Sequence, residues 1–451
     1  MQKPTVTGMT LPNMNVMRGL ILLLFLANVH PWRTDAGEVG SPAASASAPS
    51  REHRAVKGPA HGGTFAEVIG INGNLGLAET CGGTSPPNSL AAKAGLFRKC
   101  RTFYLLEHDL HGVPLKQRMP KPCLSDCGRI TQGWSDGNAA WKSRFCNLHQ
   151  RFPVNFATLE TIRYPDGRGG VILKKYPDKS LTVEEMGDPY RAGYGVGHYL
   201  AQSLDGLINI LEVWNEPHGA PGIPAHNAWA RGIADALRAN HSHIELCTSD
   251  RTASGYEFFG SRKINTRIQD VDLSLYQHVS VHNYVFDEHF ALTVPPEKSS
   301  GRFYSLFTEC RDMHRYLQGR GKQWHLTEFG YSSVATSEET QAAYLLRAIL
   351  IAMRFGASSV LIYHLQDEPW AAPFDGCGLL THDGKEKRVY REMRKLLERY
   401  GDYWFLRVVQ EDEQGAFVYE FTNGKQVARF SWRVNETTLP TASTCRKSTG
   451  A

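Results

Sequence analysis

Ile208-Asn-Ile-Leu-Glu-Val-Trp-Asn-Glu-Pro217 decides the reading of this chain. Residues 208 to 213 are apolar enough for a buried strand, and Pro217 cannot donate a ladder hydrogen bond, so the strand ends before it. A carboxylate, Glu216, is therefore presented just beyond a strand's carboxyl end. In parallel α/β folds that end carries the chemistry, because the loops leaving the strands are released from the packing that fixes the rest.

A second run, Lys322-Gln-Trp-His-Leu-Thr-Glu328-Phe-Gly-Tyr331, again delivers a Glu at a strand end. Two carboxylates on two strands of one barrel are what retaining glycoside hydrolysis needs, one as acid/base and one as nucleophile. Taken together, Trp214-Asn-Glu-Pro217 and Thr327-Glu-Phe-Gly330 resemble clan A of the glycoside hydrolases, the retaining (β/α)8 enzymes, with surroundings most similar to families 39 and 5. The resemblance runs in strand order from about Phe65 to about Tyr400, and the two motifs are its specific part.

Outward from the two motifs, strand and helix signals alternate close to eight times, which predicts a (β/α)8 TIM barrel over residues 64 to 400. Expected strands run from Thr64 to Asn72, Cys100 to Leu106, Pro153 to Ile162, Ile208 to Val213, His243 to Thr248, Val279 to Tyr284, Gln323 to Glu328 and Ser358 to Tyr363. Expected helices include Ser89 to Leu96, Gly195 to Leu207, one carrying Trp229, Ile233 and Leu237 on an apolar face, Phe303 to Leu317, and Glu386 to Tyr400. Thr336 and Glu339 stand at capping-box spacing before another that Gly356 should stop. Glu107 to Asp136 and Tyr164 to Arg191 read as long insertions, and loops of that length on a barrel usually build the rim of the site. After Gly401, short strands around Asn423-Gly424 predict a small β appendage over 401 to 451.

At 451 residues the chain can hold one large barrel with appendages. Its 41% hydrophobic and 10% aromatic content is that of a globular protein, and a net charge of +5 with no long basic run gives no reason to propose nucleic acid. Arg18 precedes the apolar stretch Gly19 to Val29, which suits a secretory signal h-region and falls short of the ~20 residues of a membrane span. Residues 1 to 36 read as a signal peptide or signal anchor, and 37 to 63, rich in Ala, Ser and Pro, as a flexible linker. Export would place nine cysteines under oxidising conditions, so disulfides are expected, Cys123 and Cys127 bridging each other or tying their loop down. The sequons at Asn240 and Asn435 fit the same secreted reading.

For the chemistry, Glu216 is the candidate acid/base, which needs a raised pKa, and Glu328 the candidate nucleophile, which must be ionised. Asn215 would bond the sugar 2-hydroxyl or simply serve a turn. His282 and Tyr284 alternate on one strand and share a face. By the resemblance, Tyr284 donates its hydroxyl to Glu328 and Arg101 lowers the nucleophile's pKa. Relatives often place a Trp at the end of strand 8; here Tyr363 or Trp370 would take the stacking role and Asp367 would bind a hydroxyl. Glu107-His-Asp-Leu-His111 is no convincing metal set, and neither a metal nor a cofactor is called for. The expected partner is an oligo- or polysaccharide; a transglycosylase and an inactive carbohydrate-binding barrel stand as alternatives.

Overall fold

Eight parallel strands close on themselves in chain order: β1 (Ile69–Asn72), β2 (Lys99–Tyr104), β3 (Val154–Leu159), β4 (Ile210–Glu212), β5 (Glu245–Asp250), β6 (His278–His282), β7 (Gln323–Phe329) and β8 (Ser359–Tyr363). β8 pairs with β1 through Ile69 and Val360, which completes the barrel. The computed structural model describes residues 62–72, 90–104, 145–146, 148–159, 189–216, 223–253, 267–301, 303–367, 373–412 and 415–446. The signal segment, most of the linker, the bulk of both insertions, Cys81, Cys123, Cys127 and Trp370 lie outside these residues. None of the described helices is long and apolar enough to cross a membrane.

The strands are buried on both faces, outward beneath helices and inward in a lumen that mixes apolar and polar side chains. Phe156, Ile210, Cys247 and Leu361 meet inside the lumen. The outward faces pack against helices α1 (Phe65–Val68), α2 (Leu90–Ala94), α3 (Pro189–Ser203), α4 (Ile223–Ala239), α5 (Leu306–Leu317), α6 (Glu338–Arg354) and α7 (Arg388–Tyr400).

Local chemistry moves several expected boundaries. Thr64 to Val68 is not strand: Thr64 N and Oγ1 both donate to Glu67 Oε2, at 2.8 and 3.0 Å, and Glu67 N donates to Thr64 O, so one helical turn folds before β1 begins. Helix α3 starts at Pro189, inside what reads as a Gly-rich insertion. Its glycines serve contact rather than flexibility. A Cβ at Gly193 would stand 2.1 Å from Trp229 O, and one at Gly232 on α4 would stand 2.0 Å from Tyr190 O, so only glycine lets α3 and α4 approach this closely. The cap of α6 is Ser337, whose hydroxyl accepts from Thr340 N, while Thr336 turns back to donate to Ser332 O at 2.7 Å. Gly356, at φ +80°, follows that helix as expected.

The C-terminal appendage is a four-stranded antiparallel sheet of β9 (Trp404–Glu411), β10 (Ala416–Thr422), β11 (Gln426–Arg433) and β12 (Thr441–Arg446), in the order β12-β11-β10-β9. Its fourth strand was not expected. Arg347 of α6 bolts the sheet to the barrel: it pairs with Glu297 and donates to the carbonyls of Val434 and Glu436, and Trp432 Nε1 donates to Glu297 at 2.8 Å. No disulfide forms among the described residues, against expectation; Cys247, Cys310 and Cys377 are buried thiols.

Candidate active site

The carboxyl ends of the strands bring the predicted residues together. β4 alternates so that Ile210 and Glu212 face the lumen, while Trp214, just past the strand, is buried against α4 with its ring 6.2 Å from Trp229. Asn215 N donates to Leu159 O at 2.8 Å, which ties this segment to β3. Glu216 takes φ = 35°, a left-handed conformation rare for a residue with a side chain and costing on the order of 1–3 kcal/mol. Such a conformation persists only where the surroundings enforce it, and here it aims the carboxylate across the mouth.

Glu216 Oε1 lies 2.9 Å from His282 Nδ1. Glu328, almost fully buried, accepts from the Tyr284 hydroxyl at 3.0 Å on Oε1 and from Arg101 Nη1 at 3.0 Å on Oε2. One oxygen of Glu216, one of Glu328 and one ring nitrogen of His282 all lie within 4.8 Å of each other. A shift in register between β6 and β7 pairs His282 with Glu328 rather than with its neighbour Thr327.

Arg101 is the hub. Fully buried, its Nε donates to Glu212 Oε2 at 2.7 Å, Nη1 also to Asn72 Oδ1 at 3.2 Å, and Nη2 to Asn215 Oδ1 at 2.8 Å and Thr158 Oγ1 at 3.3 Å. Arg98 and Lys99 beside it could have taken the role by a register slip; the pairing Asn72↔Arg101↔Phe156 fixes Arg101 as the inward residue.

Charge and burial compete at each group. Burial raises Glu328 above the ordinary carboxylate range, with Glu216 adding to it, while His282, Arg101 and the Tyr284 hydroxyl act the other way. Burial also opposes ionisation of Glu212, yet Arg101, then His282 and Ser280, draw it down to about 2. The imidazole of His282 is penalised by burial, but Glu328, Asp250, Glu212 and Glu216 together hold it well above its usual value. Asp250, buried at the end of β5, is pushed up to about 7 by burial. Glu216, His282 and Glu328 are also donors of a kind that could ligate a metal ion, but Arg101 already supplies positive charge at 3.0 Å from Glu328 Oε2, which works against a cation there.

The remaining predicted residues divide. The half-buried Tyr363 ring stacks on His364 at 4.3 Å and meets Phe374 edge-on at 5.7 Å; Phe374 in turn lies 4.8 Å from the Tyr284 ring, so Tyr363 borders the site. Asp367 is not delivered to this cluster: its carboxylate is held by Lys387 Nζ at 3.1 Å to each oxygen and by Gly378 N at 2.8 Å. Sequence reasoning passed over Glu212, Asp250, Asn72 and Ser280. A charged residue inside the apolar run Ile208 to Val213 was the available signal for Glu212, while Asp250 fell past the expected end of its strand and accepts from His282 N at 2.8 Å.

With this geometry in place, the chain can be set against known proteins. Neither a protein-family model nor a curated relative matches its sequence. The fold is similar to that of a family 39 glycoside hydrolase. That enzyme, from the gut symbiont Bacteroides cellulosilyticus WH2, superposes with a TM-score of 0.56 at 15% identity, over 83% of this chain and 72% of the other. SrfJ from Salmonella typhimurium superposes with a TM-score of 0.52 at 12% identity, over 88% and 93%. At these identities the likeness is one of fold.

Proposed function

We propose that this protein is a retaining glycosidase that cleaves β-glycosidic bonds in an oligo- or polysaccharide by double displacement. The observation that carries the reading is the closeness of two strand-end carboxylates, one oxygen of each lying within 4.8 Å of the other, which favours the retaining class, whose carboxyl groups stand about 5–5.5 Å apart, over the inverting class at about 6.5–9.5 Å. In the first step Glu328 attacks the anomeric carbon while the Glu216 proton passes to the leaving oxygen. In the second, water attacks that carbon, Glu216 takes the water's proton, and the bond to Glu328 breaks. Tyr284 and Arg101 hold the two Glu328 oxygens separately, one donor each, which fixes the attacking carboxylate in orientation. Asn215 has its carbonyl oxygen turned to Arg101, so its amide is the group to bond a sugar 2-hydroxyl, a contact that strengthens as the transition state forms. The family 39 hydrolase of similar fold supports this class of chemistry.

Chemical rescue tests it. Glu328→Ala should lose turnover of 2,4-dinitrophenyl β-glucoside, β-mannoside and β-xyloside, and azide should restore activity on whichever of these the parent uses, giving a glycosyl azide of inverted configuration. Full turnover by the variant without azide would remove Glu328 from the mechanism.

A further inference from the structure

We propose that Glu212 is the positioning residue that sets how much of the Arg101 charge reaches the Glu328 carboxylate. The inference rests on the glycosidase reading above and adds a third carboxylate to it, one too deep to touch a substrate. Glu212 has no exposed surface and lies in the lumen beneath the reacting pair.

The argument is one of donors and charge. A guanidinium has five hydrogens in one plane, and a carboxylate placed along one edge dictates where the other edge points. Glu212 Oε2 takes the Nε and Nη2 edge of Arg101, at 2.7 and 2.6 Å. Nη1 is thereby aimed at Glu328, 3.0 Å away, and the outer hydrogen of Nη2 at Asn215. Glu212 is itself pinned: Ser280 donates to its Oε1, and the Ser280 hydroxyl lies 2.6 Å from Thr327 Oγ1, on the same strand as Glu328. His282 Nε2 stands 3.7 Å from Glu212 Oε1, so the same carboxylate also biases the ring that faces Glu216.

Without a counter-charge, the Arg101 cation would fall undiluted on Glu328. An over-stabilised carboxylate is a weaker nucleophile, because the ion pair must loosen as the bond to carbon forms. With Glu212 in place the buried guanidinium is shared between two carboxylates, and Glu328 keeps its orientation without losing its reactivity. The charged or titratable groups facing this arrangement are Glu328 and Glu216 at the mouth, His282 on β6, Asp250 on β5 and Cys247 below.

The test is the pH profile of the full-length enzyme with the aryl β-glycoside it turns over. Glu212→Gln keeps the shape and removes the charge. Its kcat should fall by about 10- to 100-fold with KM little changed. The acid limb of kcat/KM, which follows ionisation of Glu328, should move down by about one pH unit, the effect expected when a like charge within hydrogen-bonding range of a shared cation is lost. Glu212→Asp, charged but a methylene shorter, should keep more kcat than the Gln variant and move the limb less; it also serves if the Gln variant fails to fold. An acid limb at the wild-type pH in whichever of these variants folds, or a Gln variant as active as the Asp one, would overturn the assignment and leave Glu212 a packing group. A parent enzyme in which azide fails to rescue Glu328→Ala would instead sink the glycosidase reading, so the two failures are distinguishable.

Discussion

The two ends of the barrel lumen are both buried and both polar, and they solve burial in opposite ways. At the carboxyl end, Glu212, Asp250, Glu216 and Glu328 surround Arg101 and His282, and opposite charges hold Glu212 and His282 ionised while burial still raises Asp250 and Glu328. At the amino end, His278 Nδ1 lies 2.9 Å from His325 Nε2, and Lys99 Nζ donates to Ser358 O and Ser359 Oγ. There negative charge comes from the half-exposed Glu245, 2.8 Å from His278 Nε2, and from Glu67 acting on Lys99. Burial accordingly drives the basic groups toward neutrality: His325 falls well below its usual value, His278 also falls, and Lys99 drops to about 8. The lesson is that depth alone does not make a reactive site. Charge placement matters as well: at the upper end it holds Glu212 and His282 ionised where water is excluded.

Breaking the upper network should cost most. Arg101→Met leaves Glu212 buried without its counter-ion, and removing one partner of such a pair costs about 3–5 kcal/mol; urea unfolding at pH 7 measures it. A loss below about 1 kcal/mol would mean that the upper end does not depend on paired charge.

Asp250→Asn addresses the acid that burial raises. The folded state holds Asp250 protonated up to about 7 against an ordinary 3.8, so its contribution is full below 3.8 and is lost as pH rises through 7. The variant should flatten that decline by up to about 1.4 kcal/mol per pH unit, read from unfolding free energies between pH 4 and 8.

His325→Gln probes the lower end, where the sign reverses. A histidine kept neutral by burial contributes fully above its unfolded value of 6.5 and loses that contribution as pH falls toward its depressed folded value. The wild type should therefore lose stability below pH 6.5 more steeply than the variant, by about 1 kcal/mol over the first unit. Parallel curves would show that His325 does not titrate on unfolding. Smallest is Ser359→Ala, which removes one of the two bonds made by Lys99 Nζ and should cost about 0.5–1.5 kcal/mol.

The same contrast explains what could be read from the sequence. Glu216 and Glu328 were legible because each ends a short apolar run, a local pattern that needs no knowledge of what lies opposite. Arg101 and Tyr284 followed from the resemblance those two motifs carry. Glu212 and Asp250 were not legible, since their partners come from other strands and meet only when the barrel closes: Arg101 reaches Glu212 across 111 positions of sequence. Asp367 looked available at the end of β8, but Lys387 from the start of α7 claims it, a contact between two loops that periodicity does not encode. Among the elements, Thr64 to Val68 misled because its apolar residues suit a strand, and the Thr64–Glu67 cap outweighs them. The helix expected from Gly195 begins earlier, at Pro189, because its first turns pack on α4 through Gly193, a contact the sequence does not display.

The most direct measurement is the mass of the protein after incubation with the 2,4-dinitrophenyl 2-deoxy-2-fluoro analogue of the β-glycoside it turns over, followed by peptide mapping. Two facing carboxylates, one of them attacking carbon, predict a single added fluoroglycosyl group on the peptide bearing Glu328. A label on any other residue, or steady release of a product of inverted configuration with no label at all, would contradict the account.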